Sequence, residues 1–82
     1  MNHIISLYYL PVNTIGTIEH LDCIGSIQRR LLDLGMIKGT RIIPLFKSPA
    51  GDPIAYSIRG SVIALRKEDA LNIKGKISIN FH

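Results

Sequence analysis

Cysteine is almost missing from these 82 residues. Cys23 stands alone, so the chain can form no internal disulfide and no cysteine-based zinc cluster of its own. Tryptophan is absent, and the aromatic set is three Tyr and two Phe, which leaves few rings for stacking on bases or ligands. Charge is missing from the first 18 residues, which hold no Lys, Arg, Asp or Glu. That could suit a targeting segment, but no cationic region precedes the apolar residues, and Pro11, Asn13, Thr14 and Gly16 interrupt them. A membrane-spanning helix needs ~20 mostly apolar residues without such breaks. A soluble, cytoplasmic protein in a reducing compartment is expected. A chain this short buries only ~60% of its unfolded surface, so one domain over residues 1–82 is expected and a multidomain enzyme is excluded.

What is present is ordinary for a globular domain: 46% hydrophobic and 20% charged residues. Ten Lys and Arg against six Asp and Glu give a net charge of +4. A basic balance fits nucleic acid, a membrane surface or an acidic partner, and it also keeps a small domain in solution. The cations are spread from Arg29 to Lys76 in blocks no longer than two, so their sign alone selects no partner.

Periodicity divides the chain into short pieces. Ile4, Leu7, Tyr8 and Leu10 suit one helical turn or a cover strip closed by Pro11. Residues Ile15 to Leu21 are rich in β-branched side chains and suit a first strand. Ser26 then caps a helix over Ile27 to Leu34, with Ile27, Leu31 and Leu34 on one face and Gln28, Arg29 and Arg30 mostly on the other. Gly35 sits where a left-handed residue ends a helix, and Met36 can pack back on Leu31. From Thr40 the period becomes two. Strands are expected at Thr40 to Lys47, Ile54 to Ile58 and Val62 to Arg66, and a last one through Ile73, Ile77 and Ile79. Ser48 to Pro53 is a turn by composition, Gly60-Ser61 a tight reversal, and Lys67 to Leu71 a helical turn. Pro44 cannot donate to a ladder and is placed at a bend of the second strand. About five strands with one short helix inserted after the first cannot cover a flat sheet. Curling removes most exposed edges, which makes a small SH3-sized barrel the economical solution.

Chemistry-bearing constellations are sparse. His20, Asp22 and Cys23 form the one cluster of metal-ligand types, whereas a zinc site needs three or four converging ligands. Cys23 beside His20 lacks an orienting group, and the adjacent Glu68 and Asp69 face different ways on a helical turn. Gly35 to Thr40 has a superficial likeness to a phosphate loop, with the wrong spacing and a strand after it. A small barrel can bind RNA, with Tyr9, Phe46 and Tyr56 stacking beside Arg41, Lys47 and Arg59. The alternative is that these rings are core or cover. Arg29 and Arg30 mark either an acidic protein partner or a solvated face, with Arg29 pairing Asp33 four residues on.

The run Arg30-Leu31-Leu32-Asp33-Leu34-Gly35-Met36-Ile37-Lys38-Gly39-Thr40 resembles the hallmark of the FeoA family. The likeness continues through Gly51-Asp52-Pro53-Ile54, Arg59-Gly60 and Ile63-Ala64-Leu65-Arg66-Lys67-Glu68-Asp69-Ala70, with Leu7-x-x-Leu10 upstream. The resemblance implies an SH3-like barrel that serves ferrous-iron uptake by binding the cytoplasmic domain of the FeoB-type GTPase transporter, without enzymatic chemistry. It implies contact with the membrane only through that partner. Nucleic acid is not expected, and a homo-oligomer is left open. Arg29, Arg30, Met36 and Arg59 are the expected partner-binding residues, and no catalytic residue or metal ligand is assigned. No cofactor is required; a divalent transition metal, iron or zinc, is associated with such domains as a class. The alternatives are a free-standing metal-regulatory domain like the C-terminal part of DtxR-type repressors, or a small RNA-binding barrel. Two positions depart from the family pattern: Asn13 replaces a glycine before the first strand, and Pro44 replaces a β-branched residue.

Overall fold

Alternating and β-branched residues form strands throughout the computed structural model, which describes residues 2–78. The strands are β1 (Asn2–Ser6), β2 (Gly16–Leu21), β3 (Arg41–Lys47), β4 (Ile54–Ile58), β5 (Ser61–Leu65) and β6 (Ile73–Ser78). A 3-10 turn (Leu7–Tyr9), helix α1 (Ser26–Asp33) and the short helix α2 (Lys67–Leu71) connect them. Every pairing is antiparallel, in the order β1-β6-β2-β3-β4-β5. Leu7, Ile18, Leu31, Ile42, Tyr56 and Ile73 meet in one core. A single sheet can share one core between its β2–β6 and β4–β5 halves only by curling. Each such buried aliphatic side chain contributes roughly 1.5–3 kcal/mol.

The mainly β architecture is the one expected, with three corrections. A strand precedes the expected first one: β1 pairs with β6 over Asn2↔Ser78 to Ser6↔Lys74, so α1 follows the second strand of six. Of the early apolar cluster, Leu7 and Leu10 are buried and Tyr8 is half-buried around the 3-10 turn, whereas Ile4 lies on β1 and is exposed. The tight reversal is Arg59-Gly60, one residue earlier than expected. Ile58 pairs with Ser61, and both turn residues have positive φ (49° and 82°), as a two-residue hairpin whose twist matches its strands requires. Ile79 lies outside the described residues.

Pro44 is paired opposite Tyr56, and the β3–β4 register shifts between Pro44 and Phe46. Such a bulge bends a strand, as expected there. Beyond Ile42, β3 no longer pairs with β2, so the missing N–H costs no ladder bond on that side. The Pro44 carbonyl instead accepts the N–H of Asn13 at 2.8 Å. Asn13 adopts φ 66°, the left-handed conformation that asparagine tolerates where a glycine would otherwise stand. At the other end of the sheet, the Lys74 ammonium donates to Ser6 Oγ (2.9 Å) and the Leu71 carbonyl (3.0 Å), tying β1 and α2 to β6.

Candidate functional site

Helix α1 carries exposed charge on its outward face. Leu31 is buried while Ile27 and Leu34 pack partly against the core, so the opposite surface projects outward. Its N-terminal cap is Gly25 (φ 78°, ψ −148°) and not Ser26, which lies inside the helix. At the other end Gly35 (φ 89°) turns the chain. The Gly35 N–H bonds the Leu32 carbonyl at 2.9 Å, and the Met36 N–H bonds the Leu31 carbonyl at 3.0 Å. This is the Schellman motif expected from the sequence. Thr40 Oγ1 donates to the Gly35 carbonyl at 3.0 Å, so the helix end is fixed in orientation as well as position.

The four expected partner-binding residues separate on this scaffold. Arg29 and Arg30 are exposed on α1. Arg59 is also exposed, and its stem crosses Gly35: a Cβ there would lie 2.5 Å from Arg59 Cδ. The guanidinium thus rests beside the negative end of the helix dipole. Met36 does not reach this surface. It is 0% exposed, because the residue after a left-handed cap folds back onto Leu31. Of the four, Arg29, Arg30 and Arg59 are therefore the exposed ones.

Arg29 and Asp33 do not form the expected pair. Together with Gly25, Ser26, Gln28 and Leu32 they line a shallow, open depression along the helix. Sequence reasoning passed over two apolar residues here: Leu32 is 46% exposed and Ile24 83%. The helical period already placed Leu32 off the Ile27–Leu31–Leu34 face; nothing in the pattern marked Ile24. The surface thus offers arginine charge beside exposed aliphatic side chains.

The other candidate clusters disperse. His20 Nε2 lies 3.4 Å from Asp22 Oδ2, while Cys23 turns into the core. Burial pushes the Cys23 thiol up, and the Asp69 and Asp22 carboxylates reinforce the shift, so the sulfur stays protonated and poorly nucleophilic near neutrality. Among the described residues no three His, Cys, Asp or Glu side chains converge on one point. Those residues therefore do not make a metal cage. Glu19, the extra residue where the β2–β6 register shifts, receives Lys38 at 3.5 Å and Lys76 at 3.6 Å. Burial raises its carboxyl, and the two ammoniums outweigh that effect and hold it below its ordinary value.

The proposed stacking set also breaks up. Tyr56 is 0% exposed and donates its hydroxyl to the Leu7 carbonyl at 3.1 Å. Burial, with the Tyr8 hydroxyl nearby, pushes its phenol well above the usual range. Tyr9 and Phe46 remain exposed, and the Lys47 ammonium lies 5.6 Å from the Tyr8 ring.

A comparison with curated proteins returns no match. The FeoA-like protein from Clostridium acetobutylicum has a structure that superposes with a TM-score of 0.83 at 29% identity, over 100% of this chain and 95% of that one. FeoA from Stenotrophomonas maltophilia, solved with zinc and described as a prokaryotic SH3 domain protein proposed as a ferrous-iron transport activating factor, is 30% identical. Its TM-score is 0.72 over 82% of this chain and 84% of that one. A manganese-dependent transcriptional repressor shares the fold at 18% identity and a TM-score of 0.79, over 96% of this chain and 44% of that one. The profile of the FeoA domain matches residues 5–76, nearly the whole of the curled sheet together with α1 and its glycine cap. This small SH3-like barrel, matched by that profile across almost its full length, belongs to the FeoA family.

Proposed function

We propose that this protein is a cytoplasmic accessory factor of ferrous-iron uptake that acts by docking onto the cytoplasmic domain of a FeoB-type GTPase transporter. The observation that carries this reading is the outward face of α1. Arg29 and Arg30 stand beside exposed Leu32 there, and Arg59 is held against the helix end by the Gly35 cap. Cationic side chains over an exposed aliphatic patch suit a protein surface that presents carboxylates around an apolar contact. Family membership supports the connection to iron transport, as does the activating role proposed for the S. maltophilia relative. No chemistry is assigned to the chain: binding, and not turnover, is its contribution.

Calorimetric titration of the protein into the transporter's cytoplasmic domain, with and without guanine nucleotide, tests the reading. Saturable binding is expected, and replacing Arg29 and Arg30 together by alanine should weaken it about tenfold or more while unfolding shifts by less than ~0.5 kcal/mol. Unchanged affinity in the double variant would remove this face from the reaction.

A further inference from the structure

Among the described residues, strand β5 ends the sheet, and the outer side of its backbone has no partner. β4 is its neighbour on one side, and the sheet order places nothing on the other. The two-residue turn makes Ile58↔Ser61 a hydrogen-bonded pair, so Ser61, Ile63 and Leu65 direct their N–H and C=O groups toward β4. The N–H and C=O of Val62 and Ala64 therefore point away from the sheet, and no hydrogen bond engages them among the described residues.

Natural edges are normally guarded by a lysine, a proline, a bulge or a covering segment. The Ser-Val-Ile-Ala-Leu of β5 has no charge and no proline, and its register with β4 runs unbroken over five pairs. Val62 is 64% exposed and Ala64 is exposed. The charges stand at the two ends instead: Arg59 before the strand, Arg66 and Lys67 after it. Among the described residues, none of these three is within ion-pair distance of a carboxylate. Of the acidic groups nearby, Asp52 accepts the backbone N–H of Lys67 at 2.8 Å, and Glu68 is exposed on α2.

We infer that the β5 edge is a docking site for an extended segment of another protein, which adds a seventh, antiparallel strand and carries an acidic residue toward each end. This inference concerns a strand edge that shares only Arg59 with the α1 surface, and it does not rest on the proposed function. The four outward groups of Val62 and Ala64 supply the backbone bonds, and the flanking cations set the sequence preference. The charges also argue against a second copy as the occupant. Fully overlapped self-pairing puts Ile63 opposite Ile63 and Val62 opposite Ala64, which suits the backbone. The same register brings the Arg59 end of each copy toward the Arg66–Lys67 end of the other, and gathering like charges at both ends opposes self-pairing.

The probe is a blocked nine-residue peptide, Glu-Thr-Val-Thr-Val-Thr-Val-Thr-Glu, with a twin carrying Lys at both ends. Amide NMR of the full chain at low salt follows each titration. The expected result is saturable shifts and slowed hydrogen exchange at Val62 and Ala64, with the twin weaker by about tenfold and the difference shrinking as salt is added. Ala64→Pro removes one outward donor without touching the bonds to β4, and it should abolish binding in a chain that keeps its native spectrum. The twin peptides on the unaltered chain keep the test decisive if that variant fails to fold. Three results would overturn the inference: no response at β5, equal binding of the two peptides, or protection of Val62 and Ala64 without peptide in a sedimenting dimer.

Discussion

Replacing Gly35 by alanine asks two things of one position. The backbone there has φ 89°, and the left-handed region costs an L-residue roughly 1–2 kcal/mol. The new methyl would also fall 2.5 Å from Arg59 Cδ and 2.9 Å from Nε, inside any real carbon contact. The neighbour is a flexible, exposed side chain, so it should swing away and add at most ~1 kcal/mol. Gly35→Ala should therefore destabilise the protein by about 1–3 kcal/mol. At a urea slope of ~1 kcal/mol/M, that lowers the unfolding midpoint by about 1–3 M. Equilibrium urea unfolding followed by circular dichroism measures it. The two contributions separate in a double-mutant cycle, because Arg59→Ala removes the obstructing stem but leaves φ unchanged. In that background Gly35→Ala should retain only the backbone cost. A midpoint unchanged within ~0.5 M in the single variant would refute the argument. An equal penalty in both backgrounds would show that Arg59 is not held over the helix end, which removes it from the basic surface of α1.

Three further outcomes follow from groups whose partners are known. Tyr56→Phe removes one of two donors to the Leu7 carbonyl, which keeps the Leu10 N–H, and should cost about 0.5–1.5 kcal/mol in thermal unfolding, with the ring's packing retained. Glu19 titrates below its ordinary value of 4.5 in the folded chain, so its contribution is complete above that pH and is lost as pH falls through the depressed folded value. The stability gap between the native chain and Glu19→Gln should accordingly be constant near neutrality and close on acidification through the carboxylate range, as pH-dependent denaturation would show. Cys23, buried and with its thiol raised, should react with a disulfide reagent at pH 8 far more slowly in buffer than in urea; equal rates would place it at the surface.

What could be read without coordinates was what neighbours along the chain decide. Helix α1 and its glycine stop were legible because the 3.6-residue period and a left-handed cap are local requirements, satisfied within Ser26–Met36. The left-handed Asn13 and the bulge at Pro44 were legible for the same reason: each follows from the geometry one residue type can or cannot adopt. The hairpin turn was misplaced by one residue because arginine rarely takes positive φ, and only the pairing of Ile58 with Ser61 shows that Arg59 does.

Long-range pairing and burial decided the rest. β1 exists because β6, more than sixty residues away, supplies its hydrogen bonds, and no local periodicity over Asn2–Ser6 can announce that. Met36 and Tyr56 were equally plausible at the surface from their sequence contexts; the curl of the sheet and the cap of α1 turned both into the core. The composition and the ordered motifs determined by themselves a small SH3-like barrel of one recognisable family. Which arginines share a surface, and which strand edge is left open, depended on chain closure, because those properties belong to contacts between residues that the sequence keeps apart.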